Sequence, residues 1–162
     1  MSDAAAASFL ELLTVHARLF QLFDQHQEAL VERDFPRALQ RLLTLRREFE
    51  AHVTGEEALL TQLFANKDSV RGTPLDLFFG EHKPLRELLV GFEDATRRLD
   101  PAAARSSRDV IELLDEEALF KAIFRHHDER ERSLLYPALD QSVPGSQRRA
   151  ELARLHAPPA TG

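Results

Sequence analysis

The stretch Phe120-Lys121-Ala122-Ile123-Phe124-Arg125-His126-His127-Asp128-Glu129-Arg130-Glu131 decides how the chain folds. Phe120, Phe124, His127 and Glu131 recur at steps of three and four, the spacing of one face of an α-helix, so a histidine and a glutamate continue an apolar stripe. Extended in both directions, the stripe reads Val110, Leu113, Glu117, Phe120, Phe124, His127, Glu131 and Leu134. An ionised carboxylate on a core face costs several kcal/mol unless something positive compensates it.

Three more segments carry the same pattern. The first gives Phe9, Leu13, His16, Phe20, Phe23, Gln27 and Leu30. The second gives Leu42, Leu45, Phe49, His52, Glu56, Leu59 and Leu63. The third gives Leu75, Phe78, His82, Leu85, Leu89 and Phe92. Nothing alternates like a strand. Turn and cap signals at Asp34-Phe35-Pro36, Thr73-Pro74 and Asp100-Pro101 separate the four segments, with Ser106 or Ser107 as an alternative start for the last. Short connections between long helices make neighbours antiparallel. The sequence therefore predicts an all-α, up-down-up-down four-helix bundle over residues 1–143. Pro144-Gly145 ends it, and a short helix with a disordered tail is expected over 144–162.

Each helix thus has one histidine in its stripe, and two follow it with a glutamate four residues on. Residues four apart share a helix face, so His52 with Glu56, and His127 with Glu131, can each converge on one point. His16 lies about 17 residues before the first turn and His52 about 16 after it, both near 25 Å at about 1.5 Å per residue. His82 and His127 stand at comparable heights across the turn at Asp100. Four imidazoles and two carboxylates should therefore meet in one layer, flanked by Phe20, Phe49, Phe78 and Phe124. A multivalent cation compensates such a set. Its donors suit iron, manganese or zinc, and six are too many for one tetrahedral zinc. The candidate metal ligands are His16, His52, Glu56, His82, His127 and Glu131. His26 and His126 lie about 100° off their seams and are expected at the surface or behind the ligands, with His156 in the tail. Gln27 and Glu117 read as a buried hydrogen-bonded pair.

The order His16, His52-x-x-x-Glu56, His82, His127-x-x-x-Glu131 resembles the hemerythrin-like HHE cation-binding domains. Glu81-His82-Lys83-Pro84-Leu85 looks like the third helix of that family, and Leu135-Tyr136-Pro137 like the end of its fourth. The resemblance spans about residues 8–139. It implies a non-haem di-iron centre with bridging carboxylates, its two iron ions joined through an oxo or hydroxo group. It also implies a protein that binds or reacts with oxygen, nitric oxide or peroxide in sensing, redox or stress response. Iron storage, delivery or sensing without turnover is the alternative, with a bundle serving only as an interaction protein behind it. Oxygen carriers of the family have two histidines one turn apart on the third helix. Here Phe78 and Arg86 stand at those offsets from His82, which argues against reversible oxygen carriage and leaves one metal with an open position.

Composition sets the outer limits. The net charge of −6 gives no electrostatic pull toward nucleic acid or an anionic membrane, so neither is an expected partner. The chain has no cysteine, which excludes disulfides, thiolate ligands and cysteine nucleophiles. A soluble, cytoplasmic protein is expected, with a small diatomic ligand or peroxide as its partner and any protein partner unspecified.

Overall fold

Ser8 starts the first helix by capping it: its hydroxyl accepts from the Leu10 N–H at 3.2 Å, and Glu11 accepts from the Ser8 N–H at 3.3 Å. A computed structural model describes residues 7–65, 69–70 and 72–156. After a 3₁₀ turn at Phe9–Leu12 come α1 (Leu13–Val31) and α2 (Phe35–Phe64). A minimal hairpin pairs β1 (Ser69–Val70) with β2 (Thr73–Pro74), and α3 (Leu75–Arg98) and α4 (Ser106–Arg130) follow. A single π-helical turn, Glu131–Leu135, leads into α5 (Tyr136–Ser142), and α6 (Gly145–Leu155) closes the order. The architecture is all-α. Among the described residues no helix is long and apolar enough to cross a membrane. The tail expected beyond the last helix lies, from 157 onward, outside the described residues.

The turn signals act in different ways. Asp34 caps α2 by accepting from the Arg37 N–H at 3.1 Å, and Arg33 takes a φ of 60° to make the reversal tight. Thr73-Pro74 forms a strand pairing instead of a cap, because Gly72 at φ 78° turns the chain back on itself first. At Asp100-Pro101 the aspartate accepts from the Ala102 N–H at 2.9 Å, and the helix waits until Ser106.

Neighbouring helices meet along their lengths. His26 faces Ala38, Arg18 faces Glu48 and His16 faces His52. Arg46 meets Glu93, and Glu57 meets His82. Phe92 packs on Phe120, and Glu81 bonds His127. Gln27 bonds Glu117, and His16 bonds Asp128. In each of these four pairings the residue number rises on one helix as it falls on the other. Two apolar clusters fill the interior, one around Phe23, Phe49, Phe92, Phe120 and Phe124, the other around Phe9, Leu60, Phe64, Phe78 and Leu135. The second lies where α5, α6 and the first turn close over the helix ends.

Two departures from the expected seams have physical causes. Leu135, not Leu134, is fully buried, since the π turn inserts a residue and shifts every following side chain. Pro137 accounts for the turn: it lacks an N–H, and its ring would collide with the Ser133 carbonyl in a regular α-helix. His26, expected at the surface or behind the ligands, is completely buried away from them. α1 packs against both α2 and α4, so its buried face is wider than a two-position seam and takes in Leu19, Leu22, His26 and Ala29 as well. His126 is exposed as expected.

Around His26 is a second polar layer. Its Nδ1 donates to the Ala38 carbonyl at 2.8 Å, its Nε2 meets Glu117 Oε1 at 2.7 Å, and Gln27 donates to Glu117 Oε2 at 2.8 Å. The carbonyl can only accept, so Nδ1 carries one proton and a further one lies between Nε2 and Glu117. Replacing His26 with leucine leaves Glu117 Oε1 buried without its partner and should destabilise the protein by about 3–5 kcal/mol. Adding Glu117→Leu should recover most of that loss, as measured by chemical denaturation of the single and double variants.

Candidate metal centre

The six ligand candidates converge, and none is more than 2 % exposed. α1 supplies His16, α2 supplies His52 and Glu56, α3 supplies His82, and α4 with its π turn supplies His127 and Glu131. They form two overlapping groups, His16, His52, Glu56 and Glu131, and Glu56, His82, His127 and Glu131. Within each group one donor atom per residue lies within 4.8 Å of all the others. The two glutamates belong to both.

Each carboxylate turns one oxygen to each side. His52 Nε2 is 3.5 Å from Glu56 Oε1, and His16 Nε2 is 3.2 Å from Glu131 Oε2. The opposite oxygens face the other pair: His82 Nε2 is 3.9 Å from Glu56 Oε2 and 4.0 Å from Glu131 Oε1, and His127 Nε2 is 3.2 Å from Glu131 Oε1. Ligands about 2.1 Å from an octahedral metal are about 3.0 Å apart when adjacent and 4.2 Å apart when opposite. The separations between the two histidine pairs and the carboxylates lie in that range.

The strongest sign of fit is what lacks a partner. Among the described residues, Glu56 Oε2, Glu131 Oε1, His82 Nε2 and His127 Nε2 are all buried without a hydrogen bond. An unpaired buried polar atom is costly, and these four are the atoms that face one another in the second group. A cation between them would satisfy all four at once. On the other side, His16 Nε2 and His52 Nε2 approach to 2.8 Å, so one must donate a proton to the other when no metal separates them.

Behind the imidazoles lies a ring of carboxylates. His16 Nδ1 bonds Asp128 at 2.8 Å, His82 Nδ1 bonds Glu57 at 2.8 Å, and His127 Nδ1 bonds Glu81 at 3.2 Å. Each bond holds the proton on Nδ1 and aims the Nε2 lone pair inward. An arginine steadies each carboxylate: Arg132 with Asp128 at 3.1 Å, Arg86 with Glu57 at 3.0 Å, and Arg130 with Glu81 at 2.7 Å. Arg86 therefore supplies no ligand one turn after His82. It points away toward Glu50 and Glu57. Phe78, one turn before His82, lies buried in the apolar cluster. Among the described residues His52 alone of the four lacks such support, its Nδ1 having no hydrogen-bond partner.

Charge and burial pull the titrating groups apart. Burial disfavours a charge on His16, but hydrogen bonds to Asp128 and Glu131 outweigh it and raise its pKa to about 10. His52 falls to about 4 through burial, with the surrounding imidazoles adding to the effect. Burial and the neighbouring Glu131 push Glu56 up. Glu131 resists burial because His127 and His16 hold it down to about 2. His127 is raised against burial by Glu131 and Glu81.

Sequence reasoning missed Tyr136, Asp128, Glu57 and Glu81. Tyr136 is fully buried, and its hydroxyl lies 2.6 Å from Glu56, 2.8 Å from Glu131 and 3.2 Å from His16 Nε2. Its only sequence signal was the Leu135-Tyr136-Pro137 run. The three acidic residues each stand next to a ligand in the chain, beside His127, Glu56 and His82, yet each serves a histidine on another helix.

A family model, the hemerythrin HHE cation binding domain, matches residues 10–139. No curated protein and no solved structure matches the chain.

Two measurements check the site. A metal must displace the second proton that His16, with its pKa raised to about 10, holds at neutral pH, and it competes with protonation of His127, whose pKa is also raised. Metal binding should therefore release protons, and affinity should fall as pH drops from 8 to 5, as followed with a pH-indicator dye during titration. Asp128→Asn, Glu57→Gln and Glu81→Gln should each weaken metal binding about 10–100-fold, as read by competition with a chelator.

Proposed function

Because the chain belongs to the hemerythrin HHE cation-binding family, we propose that it is an antiparallel up-down-up-down four-helix bundle holding two iron ions, at which a small molecule binds or reacts. The observation that carries this reading is the pair of donor groups sharing Glu56 and Glu131, with four orphaned atoms on one side. One group can take one cation. Two groups joined by two carboxylates fit a pair, with Glu56 and Glu131 as bridges.

His16 and His52 would hold one ion and His82 and His127 the other. Bound iron would supply a Lewis-acidic, redox-active centre with exchangeable positions. The residues around it set access. Phe124 lies 5.7 Å from His16 and 6.1 Å from His127, ring centre to ring centre, and Phe49 packs behind it. Phe78 and Leu135 belong to the apolar cluster beyond the site. This setting excludes water and favours oxygen, nitric oxide or peroxide over bulky or charged substrates. The His82–His127 side has only two imidazoles and the bridges, since neither Phe78 nor Arg86 adds a donor, so an exchangeable position belongs there.

Protein expressed in iron-rich medium should hold about two iron ions per chain by elemental analysis. Reduced protein should bind nitric oxide at iron, with new visible absorption. One iron or none, without gain on anaerobic reconstitution, would sink the paired site. Two irons indifferent to nitric oxide, oxygen and peroxide would leave storage or delivery as the function.

A further inference from the structure

Tyr136 is the chain's only tyrosine. Its oxygen is placed by a backbone irregularity. In a regular helix a residue five positions after Glu131 would point well away from it, but the π turn at Glu131–Leu135 stacks Tyr136 above Glu131. The phenol reaches Glu131 Oε2 at 2.8 Å, Glu56 Oε1 at 2.6 Å and His16 Nε2 at 3.2 Å. These are three of the four donor atoms that surround the His16–His52 position.

Hydrogen bonding accounts for only part of this. A phenol has one proton, so it can donate to one carboxylate oxygen at a time, and its second carboxylate contact needs a hydrogen from another group. Three donor atoms within 2.6–3.2 Å of one oxygen match another arrangement. Adjacent ligands of an octahedral metal lie about 3.0 Å apart. Within the same group, His16 and His52 are 2.8 Å apart and His16 and Glu131 3.2 Å apart. The phenol oxygen therefore stands to these atoms as they stand to one another. Among the described residues the donor atoms on the His82–His127 side have no hydrogen bond, to a hydroxyl or to any other group.

We propose that Tyr136 Oη is a protein ligand to the metal at the His16–His52 position. This rests on the two-metal reading above. Ligation breaks the Oη–H bond, releases that proton to solvent, and directs the oxygen lone pair to the metal. The two positions then differ, with five protein donors on the tyrosine side and four on the other. Exogenous ligands go to the four-donor side.

Resonance Raman and visible absorption of the oxidised, iron-loaded protein test this. Tyrosinate ring modes should be enhanced within a visible phenolate-to-iron band in the wild type. Tyr136→Phe should lose both while elemental analysis still finds two irons. Wild type with two irons but no tyrosinate modes overturns the proposal and leaves the two-metal reading intact. A band that persists in the phenylalanine variant overturns it equally. Wild type that cannot hold two irons removes the two-metal reading and this ligand with it. The wild-type spectrum decides the matter even if the variant does not fold.

Discussion

Glu56 and Glu131 lie side by side in the protein core, and the polar residues of that layer are arranged around the negative charge they bring. Two carboxylates in an apolar interior repel each other and are poorly solvated. The imidazoles answer this in part: His16 and His127 are driven toward their charged forms, and Glu131 stays ionised because of them. They do not answer it fully, since among the described residues one oxygen of each glutamate still has no hydrogen bond. The core is therefore complementary to added positive charge, and it offers that charge two places.

Supporting bonds run around the bundle from helix to helix. Asp128 on α4 orients His16 on α1, Glu57 on α2 orients His82 on α3, and Glu81 on α3 orients His127 on α4. Each acidic residue sits next to a ligand in sequence but about 100° further round its helix, which aims it at the neighbouring helix. One helix thus contributes a ligand to the centre and a support for the ligand beside it. The link missing from the ring is the one from α1 to His52, where the residues flanking His16 are Val15 and Ala17. Neither can accept a hydrogen bond through its side chain.

The same economy separates the two polar layers. Both oxygens of Glu117 are bonded, to His26 and Gln27, and the other nitrogen of His26 bonds the Ala38 carbonyl, so that layer has no use for a cation and serves to fix helix register. The ligand layer resembles it in composition but, among the described residues, leaves one oxygen of each glutamate without a hydrogen bond. Tyr136 adds a hydroxyl to one half only, so the centre is asymmetric before any ligand arrives.

How far the sequence could be read follows from which contacts are local. The helices, the six converging residues and the hydrogen bond between Gln27 and Glu117 were legible because each depends on spacing within one helix and on a common height between helices, though Gln27 is only half-buried. The family was legible for the same reason, as its motif is a set of such spacings. Three things depended on packing. His26 was misjudged because only the tertiary structure shows that α1 is covered on two sides. Asp128, Glu57 and Glu81 were invisible because each one's role lies on a different helix from its neighbour in sequence. Tyr136 reached the centre only through the π turn, which Pro137 favours but which needs the surrounding core to hold it. The sequence alone determined which atoms could meet, since a helix fixes the angle and rise of every side chain. Tertiary packing decided how they are oriented, because the partner that holds each ring or carboxylate belongs to another helix.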